Sequence, residues 1–239
     1  MKVGFALLVV GMVGAENVKI EDLNLAITAA TGGEEFTVSA GTYTRTMQGS
    51  NGVTFGIVIH GKAMTIVGEG SDSSILDGGN DHPVVGVYDV SSGKVVFDGL
   101  AVKNGYDSSI GGMLISNSDV EMSNMLIEKN TADGRCGGVY LYNSGTLLMV
   151  RCIVRSNTAS FWGDGGGLFV YNGEVTLLGN TFESNTATHS GDDIYNYNGT
   201  VTVHGCPDGY DEIKGAALDT DGRIEGEPFS YTCTAAGLV

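Results

Sequence analysis

The sequence predicts an all-β solenoid, a parallel β-helix, and three observations carry that reading. Asn-Thr-Ala recurs at Asn130, Asn157 and Asn185, spaced by 27 and 28 residues, and Asn104-Gly105 lies 26 residues earlier. A glycine pair follows each marker, at Gly111-Gly112, Gly137-Gly138 and Gly166-Gly167, with Gly191-Asp192 as a degenerate fourth. Between the markers apolar residues alternate with period two, the period of a strand and not of a helix. Short strands repeating with like residues at like places describe coils stacked at the strand spacing of about 4.8 Å. A sandwich or barrel would show turn signals every ~8–12 residues and no longer repeat.

The elements follow in chain order. Lys2, an apolar run over 3–13 and the small residues Gly14-Ala15 have the form of a secretory signal, so residues 1–15 are expected to be removed on export. The competing reading of that run is a buried first strand. Residues 21–31 predict a helix with Leu23, Ala26, Ile27 and Ala30 on one face and Gly32-Gly33 as its stop. Such a helix would cover the first coil and block edge pairing. Strands are expected over 55–60, 64–67, 74–76 and 95–102, before the period becomes clear.

Each later coil then carries three strands. The first follows the glycine pair: Met113-Leu114-Ile115-Ser116, Val139-Tyr140-Leu141-Tyr142, Leu168-Phe169-Val170-Tyr171 and Ile194-Tyr195-Asn196-Tyr197, with Asn196 breaking the aliphatic rule. The second carries Val120 and Met122, Leu147 and Met149, Val175 and Leu177, Val201 and Val203. The third carries Met125 and Ile127, Cys152 and Val154, Asn180 and Phe182. Turn glycines are expected to supply positive φ. The asparagines at Asn104, Asn130, Asn157 and Asn185 are expected to tolerate the left-handed region and to bond the next coil. Residues 16–205 thus form the solenoid, and from Cys206 the pattern ends in an irregular tail, 206–239.

Composition narrows the partners. Asp plus Glu number 28 against 12 Lys plus Arg, a formal charge of −16. Such a surface repels nucleic acid and anionic lipid, leaving cations, neutral glycans or an extracellular protein. Beyond residue 15 the sequence has no apolar run near the ~20 residues of a membrane span, so no span is expected in the mature chain. Cys152 and Cys206 hold the same place two coils apart, roughly 9–10 Å by strand spacing, beyond disulfide reach. Cys206 with Cys233 is therefore the expected bridge, in an oxidising compartment, and the sequence leaves the state of Cys136 and Cys152 open.

These residues resemble the right-handed β-helix proteins related to pectin lyases, most closely those with polymorphic outer membrane protein type repeats. That family's Gly-Gly-small-aliphatic and Phe-x-x-Asn motifs match Gly166-Gly167-Leu168-Phe169 and Phe182-Glu183-Ser184-Asn185. Ile127 and Val154 stand where the family places phenylalanine. The openings at Ala40-Gly41-Thr42-Tyr43, Thr65-Ile66-Val67-Gly68 and Ile75-Leu76-Asp77-Gly78 are similar too, so the resemblance spans about residues 17–205. Cys206-Pro207-Asp208-Gly209-Tyr210 through Cys233 resembles the start of an ephrin-receptor-like cysteine-rich module. The resemblance speaks for the fold and is nearly silent on activity; the expectation is a secreted or cell-surface structural or adhesive module, and the alternative, an enzyme of this fold, would be a polysaccharide lyase, glycoside hydrolase or epimerase.

Three sets of residues could carry chemistry. Asp192-Asp193 with His204-Gly205 resembles polygalacturonase motifs but lacks their Asn-Thr-Asp, the glycine before the histidine and the Arg-x-Lys; turn aspartates and an outward histidine are the competing reading. Asp107, Asp133, Asp164 and Asp192 fall between asparagine and glycine pair in successive coils. Calcium at Asp164 and Asp192 is the metal expectation, against ordinary solvated turns. Most clearly, Tyr140, Phe169 and Tyr195, with Tyr142, Tyr171 and Tyr197 two residues on, alternate away from the core as two aromatic columns suited to glycan or a partner protein; the competing reading is that these rings are ordinary for the repeat and stack on one another or lie under a loop. Trp162, in the turn Phe161-Trp162-Gly163, reads as an exposed contact or as a lid over the stack.

Overall fold

The computed structural model describes residues 16–18, 23–44, 46–48, 52–204, 224–225 and 229–232. The expected signal segment and both Cys206 and Cys233 lie outside the described residues.

Strands stack in parallel into four rows, one more than the sequence suggests. The first row runs from Glu16–Val18 through Glu34–Val38, Thr146–Val150 and Thr200–His204 to Phe229–Thr232. The second runs from Gly41–Tyr43 to Thr181–Glu183, and the fourth from Ile57–His60 through Val139–Tyr142 and Leu168–Tyr171 to Ile224–Glu225. The extra row lies between them: the Thr-Ala of each Asn-Thr-Ala pairs with its counterparts, Thr131↔Thr158↔Thr186 and Ala132↔Ala159↔Ala187. An antiparallel hairpin, Met47–Gln48 with Thr54–Phe55, is the exception to the parallel order. Ile224–Glu225 and Phe229–Thr232 pair in parallel with the last full coil, so pairing continues past the point where the sequence pattern stops.

The core is a bundle of like-on-like columns. Val95, Val120, Leu147, Val175 and Val201 stand in register, as do Phe97, Met122, Met149, Leu177 and Val203. All but Val203, at 8%, are at most 2% exposed. Each coil thereby supplies the apolar wall that its neighbour cannot make alone. The expected helix forms over Leu23–Ala29, burying Leu23 and Ile27. It packs on the first fourth-row strand, with Asn24 Nδ2 donating to the Gly56 carbonyl and Lys62 Nζ donating to the Thr28 carbonyl at the helix end.

Two expectations about turn chemistry are corrected. Turn glycines such as Gly61, Gly79, Gly99, Gly145, Gly165 and Gly191 do have positive φ as expected, but the pairs Gly111-Gly112, Gly137-Gly138 and Gly166-Gly167 do not. They are glycine because the next coil passes too close for a side chain: a Cβ on Gly138 would lie 2.1 Å from the Gly167 carbonyl oxygen, and one on Gly112 would lie 2.4 Å from that of Gly138. Nor are Asn130, Asn157 and Asn185 left-handed. Left-handed residues include instead those just before them, Lys129, Ser156 and Ser184, as well as Asn117, Asn143, Asn172 and Asn198 at the corner after the fourth row. Asn104 is left-handed but belongs with the former set, and Gly105 holds the place of Asn130 in its coil.

The expected asparagine stack is present and fully buried. Asn130 Nδ2 donates to Asn157 Oδ1 at 2.9 Å, Asn157 Nδ2 to Asn185 Oδ1 at 3.0 Å, and Asn185 Nδ2 to Asp193 Oδ1 at 2.8 Å. Each Oδ1 also accepts the backbone N–H one coil below, from Gly105, Asn130 and Asn157 in turn. Asp193, which is 0% exposed, takes the place of a pair glycine and closes the ladder with a group that accepts.

Candidate functional site

Both aromatic columns form, in register across three coils: Tyr140↔Phe169↔Tyr195 and Tyr142↔Tyr171↔Tyr197. Their surroundings differ, which corrects the expectation of six exposed rings. Tyr140 and Phe169 are each 3% exposed. They belong to a second apolar cluster, outside the main core, with Phe55, Tyr88, Ile110, Leu114 and Cys136. Ile110 and Cys136 sit in the turns leading into the fourth row and pack in one cluster with these rings. Burial pushes the Tyr140 hydroxyl up to about 12, against the opposing charge and hydrogen bond of Arg135. The outer column stays open: Tyr142 is 37% and Tyr197 45% exposed, with Tyr171 half-buried between them. Its rings lie 5.5 and 5.2 Å apart at interplanar angles of 29° and 7°, a stacked ribbon whose edges carry hydroxyls.

The acidic turn residues hold separate partners. Asp164 Oδ1 meets His189 Nδ1 at 2.6 Å, whereas Asp192 Oδ1 accepts the Ala187 backbone N–H at 2.7 Å. Asp133 accepts from the Tyr106 hydroxyl at 2.5 Å and the Ser160 hydroxyl at 3.3 Å. Among the described residues no group of three or more His, Cys, Asp or Glu side chains is placed to hold a metal ion. The Asp192-Asp193-His204 set is likewise dispersed. Asp193 ends the buried ladder, and His204 stands in the first row, in register with Leu178.

Trp162 stands exposed rather than as a lid. Trp162 is 81% and Phe161 77% exposed, and both have positive φ, 70° and 48°. Left-handed backbone costs a residue with a side chain roughly 1–2 kcal/mol. The Trp162 backbone N–H donates to Thr188 Oγ1 at 3.1 Å, and its ring lies 5.7 Å from that of His189.

One charged feature escaped the sequence reading. The last residues of the second-row strands alternate in sign up the stack, Asp77↔Lys103↔Glu128↔Arg155↔Glu183. Glu128, 6% exposed, pairs with Lys103 at 3.0 Å and with Arg155 at 2.8 Å. Burial pushes its carboxyl up, but the hydrogen bonds and charges of those two neighbours outweigh that and hold it below the usual range. Aligning the repeats at Asn130, Asn157 and Asn185 would have exposed this column two residues upstream.

Cys136 and Cys152 are buried free thiols. No described helix is long and apolar enough to cross a membrane. A family model described as a right handed beta helix region matches residues 15–207. Comparison with curated proteins and with solved structures returns no match.

Proposed function

The chain belongs to the right-handed β-helix family, and on that premise we propose that it is a secreted or cell-surface structural or adhesive module that holds glycan on the column Tyr142, Tyr171 and Tyr197. The observation that carries this reading is the open, stacked ribbon of three rings, repeated at the coil spacing. Flat aromatic faces accept the C–H faces of sugars, and the hydroxyl edges supply hydrogen bonds. A ribbon that repeats with the coil suits a ligand that itself repeats along a chain. The three strands that carry the rings are each paired on both sides, so the rings are held in place before a ligand arrives and little ordering entropy opposes binding. The formal charge of −16 favours a neutral over an anionic glycan. Export through residues 1–15, a Cys206–Cys233 bridge and calcium at the acidic turns are secondary proposals of the same reading.

A glycan array probed with and without calcium tests it. We expect capture of a neutral oligosaccharide, weakened tenfold or more by Tyr142→Ala combined with Tyr171→Ala, at about 1 kcal/mol per aromatic contact, with the melting temperature nearly unchanged. Equal capture by the double variant would remove the tyrosine column from the reading.

A further inference from the structure

The turn that carries Phe161 and Trp162 is an insertion. Six residues, 133–138 and 188–193, join the paired alanines to the paired aliphatic residues in the flanking coils, but eight, 160–167, do so here. The register closes on both sides of the extra residues, so coil stacking does not require them. They are nevertheless the two most exposed large apolar side chains described, and both stand in the left-handed region. Strain and exposed apolar surface retained together, at a place the scaffold does not need, mark a contact surface.

The surroundings select the occupant. Asp164 on the same coil, and Asp133 through Ser160 on the coil below, flank the turn, with Asp107 and Asp192 farther along that edge. His189 lies against both Asp164 and the Trp162 ring. The one Arg or Lys on this edge from 107 to 192, Arg135, directs its guanidinium to the Tyr140 hydroxyl at 3.5 Å. Thr188 Oγ1, a group that a sugar hydroxyl would seek, already accepts the Trp162 backbone N–H. Electron-rich ring faces beside carboxylates attract a cation, and a guanidinium or ammonium on a flexible stem can meet both at once.

We propose that the Phe161–Trp162 turn docks an arginine- or lysine-bearing segment of a partner protein, with the cationic head over the indole and Asp164 and Asp133 as counter-charges. This site is separate from the tyrosine column and does not depend on the glycan reading.

Trp162 is the only tryptophan in the chain, so selectively excited indole emission reports this site alone. An oligoarginine peptide should change that emission saturably, and oligoglutamate and cellohexaose should not. With a labelled oligoarginine peptide followed by anisotropy, deleting Phe161 and Trp162 should weaken binding about tenfold. The deletion matches the length of the flanking turns and should leave the melting temperature equal or higher. Trp162→Gly, which keeps the left-handed backbone, gives the same reading if the deletion fails to fold. Undiminished binding by a folded variant would reduce the effect to general charge attraction and overturn the proposal, as would an emission change with cellohexaose but none with oligoarginine.

Discussion

Asn157→Ala tests whether the buried amide ladder holds the coils together. The Asn157 side chain makes four hydrogen bonds: Oδ1 accepts from the Asn130 backbone N–H at 3.1 Å and from Asn130 Nδ2 at 2.9 Å, and Nδ2 donates to the Ile127 carbonyl at 3.0 Å and to Asn185 Oδ1 at 3.0 Å. Two partners keep a second contact, Asn130 Nδ2 with the Val102 carbonyl and Asn185 Oδ1 with the Asn157 backbone N–H. The Asn130 backbone N–H loses its acceptor in a residue that is 0% exposed. A buried donor left unpaired costs about 1–3 kcal/mol, and the other lost bonds about 1 kcal/mol or less each, so the expected loss is about 4 kcal/mol. For a chain of this size that corresponds to a fall of roughly 10 °C in melting temperature, followed by far-ultraviolet circular dichroism. Asn157→Asp provides the contrast. It keeps the acceptor for Asn130 but sets a carboxylate against the Ile127 carbonyl and Asn185 Oδ1. Burial among acceptors raises its folded pKa above the unfolded value, so the folded state binds more protons. Its melting temperature should approach the wild-type value near about pH 4 and fall behind as pH rises. An alanine variant melting within about 3 °C of wild type would refute the argument that the ladder stabilises the stack.

Two further outcomes follow from the ionisable groups. The Glu128 carboxyl is held below its ordinary range, so its contribution is present above the unfolded carboxylate pKa and lost as pH falls through the lower folded value; Glu128→Gln should therefore flatten the acid limb of the melting-temperature profile, and an unchanged limb would show that the Lys103–Glu128–Arg155 column contributes nothing. Burial pushes the Cys136 and Cys152 thiols up to about 12 and about 11, so alkylation mapped by mass spectrometry should leave both unmodified until denaturant is added, while the Cys206–Cys233 bridge proposed above should block those two until reduction.

The legibility of the chain varied with the range of the interaction concerned. The ladder was visible because Asn130, Asn157 and Asn185 recur at the coil period and must stack if the coils do. The positions of left-handed backbone were not, because glycine and asparagine serve two purposes here. Gly112 and Gly138 make room for a passing carbonyl, and Asn157 bridges coils, whereas Asn143 and Asn172 turn the chain. Composition does not separate those uses. The insertion left a trace in the sequence as uneven spacing between asparagine and glycine pair, but its meaning required the register of both flanking coils.

From its sequence alone this chain was determined to be a stack of parallel coils with an aliphatic interior, because alternation is local to a strand and the period is local to a coil. Which outward residues meet solvent was decided only in the tertiary structure. Tyr140 and Tyr142 alternate identically in the sequence, yet one is covered and the other open. Tyr140 packs in one cluster with Ile110 and Cys136 from the approach turns, a cluster that Tyr142 does not join. The same long-range geometry placed Glu128 between two cations from different coils and lifted Trp162 clear of the stack. Such effects depend on residues one full coil apart, where packing rather than sequence neighbourhood decides what a side chain touches.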